Sequence, residues 1–197
     1  MSTAWRATLN RLRRKLAHAL FFRPVFGERS AGRLLPHTRV SPSTCIEHEE
    51  RLCLGDHVFI GAHNFIEASA GITIEEGVQI TSHVAIVTHS SHRAMRLLGR
   101  AYVGWPGERP GWVAGAVHIG AYSFIGPHVL IEAGTRLGRG TLVRAGSIVR
   151  GSFADFAVLE GRPAVVVGDT RSADEAWLQR HPELRAHRDA WAGRDEA

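Results

Sequence analysis

The chain has 197 residues, of which 44% are hydrophobic and 22% charged, and a formal net charge of +5. That is enough for one sizeable core in an ordinary soluble domain, and no stretch approaches the roughly 20 apolar residues that crossing a bilayer requires. Two cysteines, Cys45 and Cys53, are too few for a disulfide scaffold and imply reduced thiols, packed inside the fold of a cytoplasmic protein.

In chain order, the first element is a basic amphipathic helix within residues 1–33. Trp5, Leu9, Leu12, Leu16 and Leu20 share one helical stripe, and Ser2 or Thr3 can cap it. Arg6, Arg11, Arg13, Arg14, Lys15, Arg23, Arg29 and Arg33 face only Glu28. The apolar run AHALFF is short, follows a basic segment and lacks an Ala-x-Ala site, so secretion is not expected. Two readings of the helix stand side by side. It packs across the end of the next domain, shielding an open edge with its arginines solvated, or it makes peripheral contact with an anionic membrane at its inner face. No nucleic-acid partner is expected, because no recognition motif stands behind the basic residues.

Residues 34–168 count in sixes. Ile119, Ile125, Ile131, Leu137, Val143 and Val149 fall at every sixth position. A helix needs apolar residues at i, i+3, i+4 and i+7 and a half-buried strand needs alternation, so this period fits neither. It fits a solenoid in which each six-residue unit forms one flat face and stacked coils bury a shared column. Upstream the count runs through Leu54, Ile60 and Ile66 and, after a two-residue slip, Ile74, Ile80 and Ile86, with Val40, Ile46 and Leu52 as an opening coil. Between Ile86 and Ile119 it fails, which predicts a loop excursion over about residues 90–113. Long insertions in regular scaffolds usually carry function. This one holds Trp105, Arg109 and Trp112 among Gly and Pro residues, aromatic faces for a sugar ring and a cation for a hydroxyl, carboxylate or phosphate; equally, the tryptophans can bury against a neighbour.

From 169 to 197 the chain turns helical. Ser172 with Glu175 makes a capping box for a helix to about His181, and a second short helix follows from Glu183 to Trp191. These helices cap the coil or clasp a neighbouring subunit.

The run GDHVFIGAHNFIEASAGITIEEGVQITSHVAIVTHSSH, the loop after it and the terminal GRPA turn resemble the left-handed β-helix acyltransferases, most closely their sugar O-acetyltransferase branch, over roughly residues 40–170. The resemblance implies a mainly β fold, a single-stranded left-handed parallel β-helix. It also implies a homotrimer with active sites between subunits, acetyl-CoA as acyl donor, a sugar or glycan acceptor, and no metal. It assigns His89 as general base, with His92 as local competitor. A base is what the chemistry needs, since a thioester is already activated and a sugar hydroxyl is not; an imidazole titrating near about 6.5 suits the task.

On the acceptor side the resemblance suggests His63, Asn64 and Glu67; His83, six before His89, takes the equivalent place on the neighbouring face, and His92, Trp105 and Arg109 are the candidates from the loop. On the donor side it suggests Phe124, Gly126 and Ala145 along the groove and Arg150, Gly161, Arg162 and Pro163 at the nucleotide end. Three positions depart from the family: Phe124 stands where Trp is frequent, Pro127 where Ser is, and Val165 where Lys or Arg is. With Pro127 the oxyanion falls to the backbone N–H of Gly126 or its neighbour. N-acyl transfer to an amino sugar is the alternative within the class. A γ-class carbonic anhydrase needs three converging imidazoles and a histidine pair spaced five apart, whereas His57/His63 and His83/His89 are six apart. A non-catalytic assembly platform has no need for the histidine-led insertion.

Overall fold

The computed structural model describes residues 2–193. After helix α1 (Thr3–Phe21) and a short antiparallel hairpin (Glu28–Ser30 with Arg33–Leu35), the chain visits three parallel sheets in strict rotation. Face 1 stacks Arg39–Val40, Phe59–Ile60, Gln79–Ile80, Phe124–Ile125, Leu142–Val143 and Ala157–Gly161. Face 2 stacks Cys45–Glu47, Phe65–Glu67, Ala85–Val87, Leu130–Ile131 and Ile148–Val149; face 3 stacks Leu52–Leu54, Ile72–Ile74, Val117–Ile119, Arg136–Leu137 and Ser152–Phe153. Each strand is two or three residues long in most coils because one face uses only a third of a coil.

One side chain per strand points inward on faces 1 and 2 and two on the three-residue strands of face 3, and the register keeps like above like: Ile60 over Ile80 and Ile125 over Val143, all fully buried. The core is therefore a column of Ile, Val and Leu, each worth roughly 1.5–3 kcal/mol on burial. Polar inward corners are closed on backbone carbonyls, as where Thr141 Oγ1 donates to Gly138 O at 2.7 Å and Ser147 Oγ to Arg144 O at 2.8 Å.

The opening coil differs from the expected count. Leu54 pairs with Ile74 and Leu52 with Ile72, so the inward series is Val40, Ile46, Leu54, and the two-residue slip recurs in both early coils. The corner between faces 2 and 3 absorbs it; in the first coil it carries the 3-10 turn Glu49–Arg51. Cys45 and Cys53 are exposed rather than packed inside, because both neighbour an inward residue on strands that alternate.

The chain leaves the coil at His89–Ser90, which pairs antiparallel with the returning Val113–Ala114. Between them lie α2 (His92–Leu98) and a 3-10 turn. At the far end Ala157–Gly161 turns back on Ala164–Asp169. The next helix, α3 (Thr170–Leu178), begins two residues before the expected box. Asp169 caps it by accepting the Arg171 N–H at 2.8 Å, and Glu175 instead pairs with Arg185 at 2.7 Å. Trp191 of α4 (Arg185–Ala192) stacks on Tyr122 at 4.6 Å, so these helices cover this chain's own coil.

α1 does not pack as a shield. None of its residues is buried; its exit is fastened through the Phe22 ring 5.0 Å from His63, and its last turn, at Ala19 and Leu20, borders a hollow with Val40, Ile46 and Leu54 of the opening coil.

Candidate active site

His89 begins the excursion at the corner between faces 2 and 3, with 29% of its side chain exposed. Its Nδ1 lies 2.8 Å from Glu67 Oε2 and 3.0 Å from Ser69 Oγ. Glu67 comes from the coil below, where the Phe65–Glu67 strand turns the corner, and only 4% of its side chain is exposed. Its carboxylate is fully engaged. Oε1 accepts the Ser69 N–H at 2.7 Å; Oε2 accepts the Thr88 N–H at 3.0 Å and its hydroxyl lies 3.0 Å away. Burial pushes the Glu67 carboxyl up, but hydrogen bonds from Ser69 and Thr88 outweigh it and hold the group at about 2. An ionised carboxylate can only accept, so Nδ1 carries the proton of the neutral imidazole. Nε2 is left with its lone pair. Trp112, just before the returning strand, stacks on the imidazole at 4.6 Å and 7°, fixing the ring plane from the other side.

A cleft of about 370 Å³ opens at His89, lined among others by Val87, His92, Arg93, Glu132 and Arg150. Arg150 thus stands beside His89, away from the 161–163 turn with which it was grouped, because it follows Val149 at the same corner two coils up. His92 is on the rim, its Nδ1 2.7 Å from Ser90 Oγ. Arg109 donates to Tyr102 O at 3.1 Å and lies over the Tyr102 ring at 4.7 Å; it borders an adjoining hollow with Gly107, Glu108 and Trp112. Trp105 lines neither.

The remaining acceptor-side candidates lie elsewhere. His63 and His83, with His128, form a column at the corner between faces 1 and 2, stacked at 5.1 and 5.0 Å and each at φ 60°. Asn64 is buried, and all of its side chain is used to tie coils together: Nδ2 donates to Gly61 O and Thr81 O, and Oδ1 accepts the Val84 N–H. It has nothing left for an acceptor. Asn64→Ala is expected to cost about 3 kcal/mol through three orphaned buried partners, read as a lower urea midpoint; an unchanged midpoint would refute the structural role.

The donor-side candidates other than Arg150 share face 1 and this first corner. Phe124 points outward, 40% exposed, between Gln79 and Leu142. A Cβ on Gly126 would stand 2.7 Å from Ala145 N, so the coils touch here. The Gly126 N–H is taken by Val143 O at 2.9 Å, which removes it as an oxyanion donor. Arg162 folds back to donate to Gly146 O, while Val165 is exposed where a basic residue was expected to matter.

Two other groupings of ionisable side chains lie on the coil. A concavity of about 400 Å³ on face 3 holds His118 3.2 Å from Glu75, but that carboxylate is 43% exposed. Among the described residues, His37, Asp56 and His57 bring ligand atoms within 4.8 Å. They offer two imidazoles and a carboxylate, and His37 Nδ1 already contacts Asp56 at 2.9 Å.

No family model matches the chain. A protein named probable acetyltransferase from Mycobacterium tuberculosis is 33% identical over 81 residues, 41% of this chain and 27% of its own length. WbbJ of Escherichia coli, named for O-acetyl transfer in lipopolysaccharide biosynthesis, is 36% identical over 62 residues, 32% of each chain. The chain spans a third or less of the length of these relatives. Among solved structures, a hexapeptide-repeat acetyltransferase of Vibrio cholerae complexed with acetyl-CoA superposes with a TM-score of 0.58 at 23% identity, covering 67% of each chain.

Proposed function

We propose that this chain, whose coil has the fold of the hexapeptide-repeat acetyltransferases, transfers an acetyl group from acetyl-CoA to a hydroxyl of a sugar or polysaccharide precursor. The observation that carries the reading is the buried, ionised Glu67 orienting His89 at the mouth of a cleft. In this reading Nε2 of His89 removes the hydroxyl proton as the acceptor oxygen attacks the thioester carbonyl carbon. The tetrahedral adduct then collapses, the C–S bond breaks, and the imidazolium returns its proton to the leaving thiolate. Acetyl ester and free CoA are the products, and no acyl-enzyme is needed. Positive charge gathers on His89 during the first half, 2.8 Å from the Glu67 carboxylate, so the pair is more favourable in the transition state than before it.

The proposed architecture is a left-handed coil assembled as a homotrimer. His89 and Arg150 stand at one corner, whereas Phe124, Gly126 and Ala145 stand at the other end of face 2, across the strands Ala85–Val87 and Leu130–Ile131. One prism does not turn both toward one thioester. Prisms side by side let the donor groove of one subunit meet the His89 corner of the next, with Arg162 and the 161–163 turn toward the nucleotide.

Thiol release from acetyl-CoA, measured over a panel of neutral sugars, amino sugars and glycan extracts, tests the reading. Release with hydroxyl acceptors is expected. Release confined to amines would replace O- by N-transfer, and failure to bind acetyl-CoA would overturn the assignment.

A further inference from the structure

We propose that α1 is an interfacial anchor that lays its apolar stripe on an anionic lipid surface and so holds the coil against the membrane. The helix has 19 residues and none is buried. Trp5, Leu12, Leu16 and Leu20 are each more than half exposed, yet their spacing puts them on a single stripe. A helix of this length is marginal in water unless its apolar face is covered, so something covers it.

Charge selects the occupant. Arg6, Arg11, Arg13, Arg14, Lys15 and Arg23 are cations, and no Asp or Glu occurs before Glu28. Among the described residues none of these six takes part in an ion pair. At 100° per residue, Arg13, Arg6 and Lys15 flank the stripe while Arg11 and Arg14 lie behind it. Apolar side chains entering the acyl boundary with cations at headgroup level is the arrangement of a helix lying in a membrane interface. Pairing with a second copy would instead bring like charges together. Among the described residues no helix is long and apolar enough to cross a membrane; in this proposal α1 lies on the surface.

The attachment to the coil is continuous with this patch. Phe22 O accepts a hydrogen bond from Ser41 Oγ at 3.3 Å, and Val25, Phe26 and Leu34 are exposed on the segment that follows, with Arg39 over the Phe26 ring at 4.8 Å. The inference stands independently of acetyl transfer.

The test is co-sedimentation of the full chain with phosphatidylcholine vesicles, with and without an equal part of phosphatidylglycerol. Wild type is expected to bind the mixed vesicles and not the neutral ones. Arg11→Gln/Arg13→Gln/Arg14→Gln is expected to weaken binding about 10²-fold, and Leu12→Gln/Leu16→Gln, which keeps the charge, at least about tenfold. All these side chains are exposed, so both variants keep the wild-type melting temperature. Absence of wild-type binding overturns the proposal. So does a leucine variant that binds unchanged, which would leave charge adsorption alone, or one that lowers the oligomeric mass while vesicle binding persists, which would make the stripe a subunit interface.

Discussion

His89→Ala protein is expected to turn over acetyl-CoA about 10²- to 10⁴-fold more slowly than wild type, with KM for acetyl-CoA little changed. In the proposed reaction the loss falls on kcat, because the imidazole would act where the acceptor proton is transferred, whereas Phe124, Gly126 and Ala145 occupy a different corner of the coil. The substitution removes a ring that is 29% exposed and lies at the start of the excursion rather than in the inward column, so the coil is expected to survive. A thermal melt matching wild type, with the kinetic loss, would separate chemistry from collapse. A variant retaining full turnover would refute His89 as base.

Glu67→Gln is expected to lower kcat at least about tenfold and to alter acid stability. The amide keeps the shape but cannot stabilise the imidazolium, and it can present an N–H to Nδ1 and select the wrong tautomer. A second readout identifies the charge. The Glu67 carboxyl falls from 4.5 to about 2 in the folded protein, which corresponds to about 3 kcal/mol of stability at neutral pH. Because the folded value is the lower one, this contribution is complete above about pH 5 and is lost as pH falls toward 2. Urea midpoints should therefore show wild type losing its advantage over Glu67→Gln by about half near pH 3. A gap independent of pH would mean that Glu67 acts by packing alone.

The coil was legible because all but a few inward positions, Phe153 among the exceptions, take Ile, Val or Leu at a period that no other element shares. The wider corner between faces 2 and 3 was not, since Leu52 and Leu54 both point inward and either can be counted. His89 stood out by closing the count at the excursion. Its partner stood out only as an acceptor contact, and the structure corrects that role: Glu67 follows the inward Ile66, where alternation assigns it to solvent, but the corner rotates it back under Thr88, and its buried carboxylate is taken by Ser69, Thr88 and His89. Ser69 and Thr88 read as ordinary corner residues for the same reason. Nothing in the loop's composition prefers Trp112 to Trp105. The preference arises from the pairing of His89 with Ala114, which carries the chain's return past the imidazole. Asn64 looked available because it sits one residue from His63 on a polar corner, and its three buried hydrogen bonds appear only when the coils are stacked.

The excursion is closed at its base. Gly115 N–H donates to Thr88 O at 2.9 Å, and beyond it Val117 and Ile119 resume the ladder on Ile72 and Ile74 as though the chain had never left. Everything between Ser91 and Gly111 can therefore change length and composition without shifting the inward column by a residue. Glu67 and Thr88 belong to the stacked coils and His89 is the first residue beyond them; the loop that follows is a replaceable cassette. A loop of another shape spliced at this base leaves Glu67 and Thr88 in their places on the stacked coils.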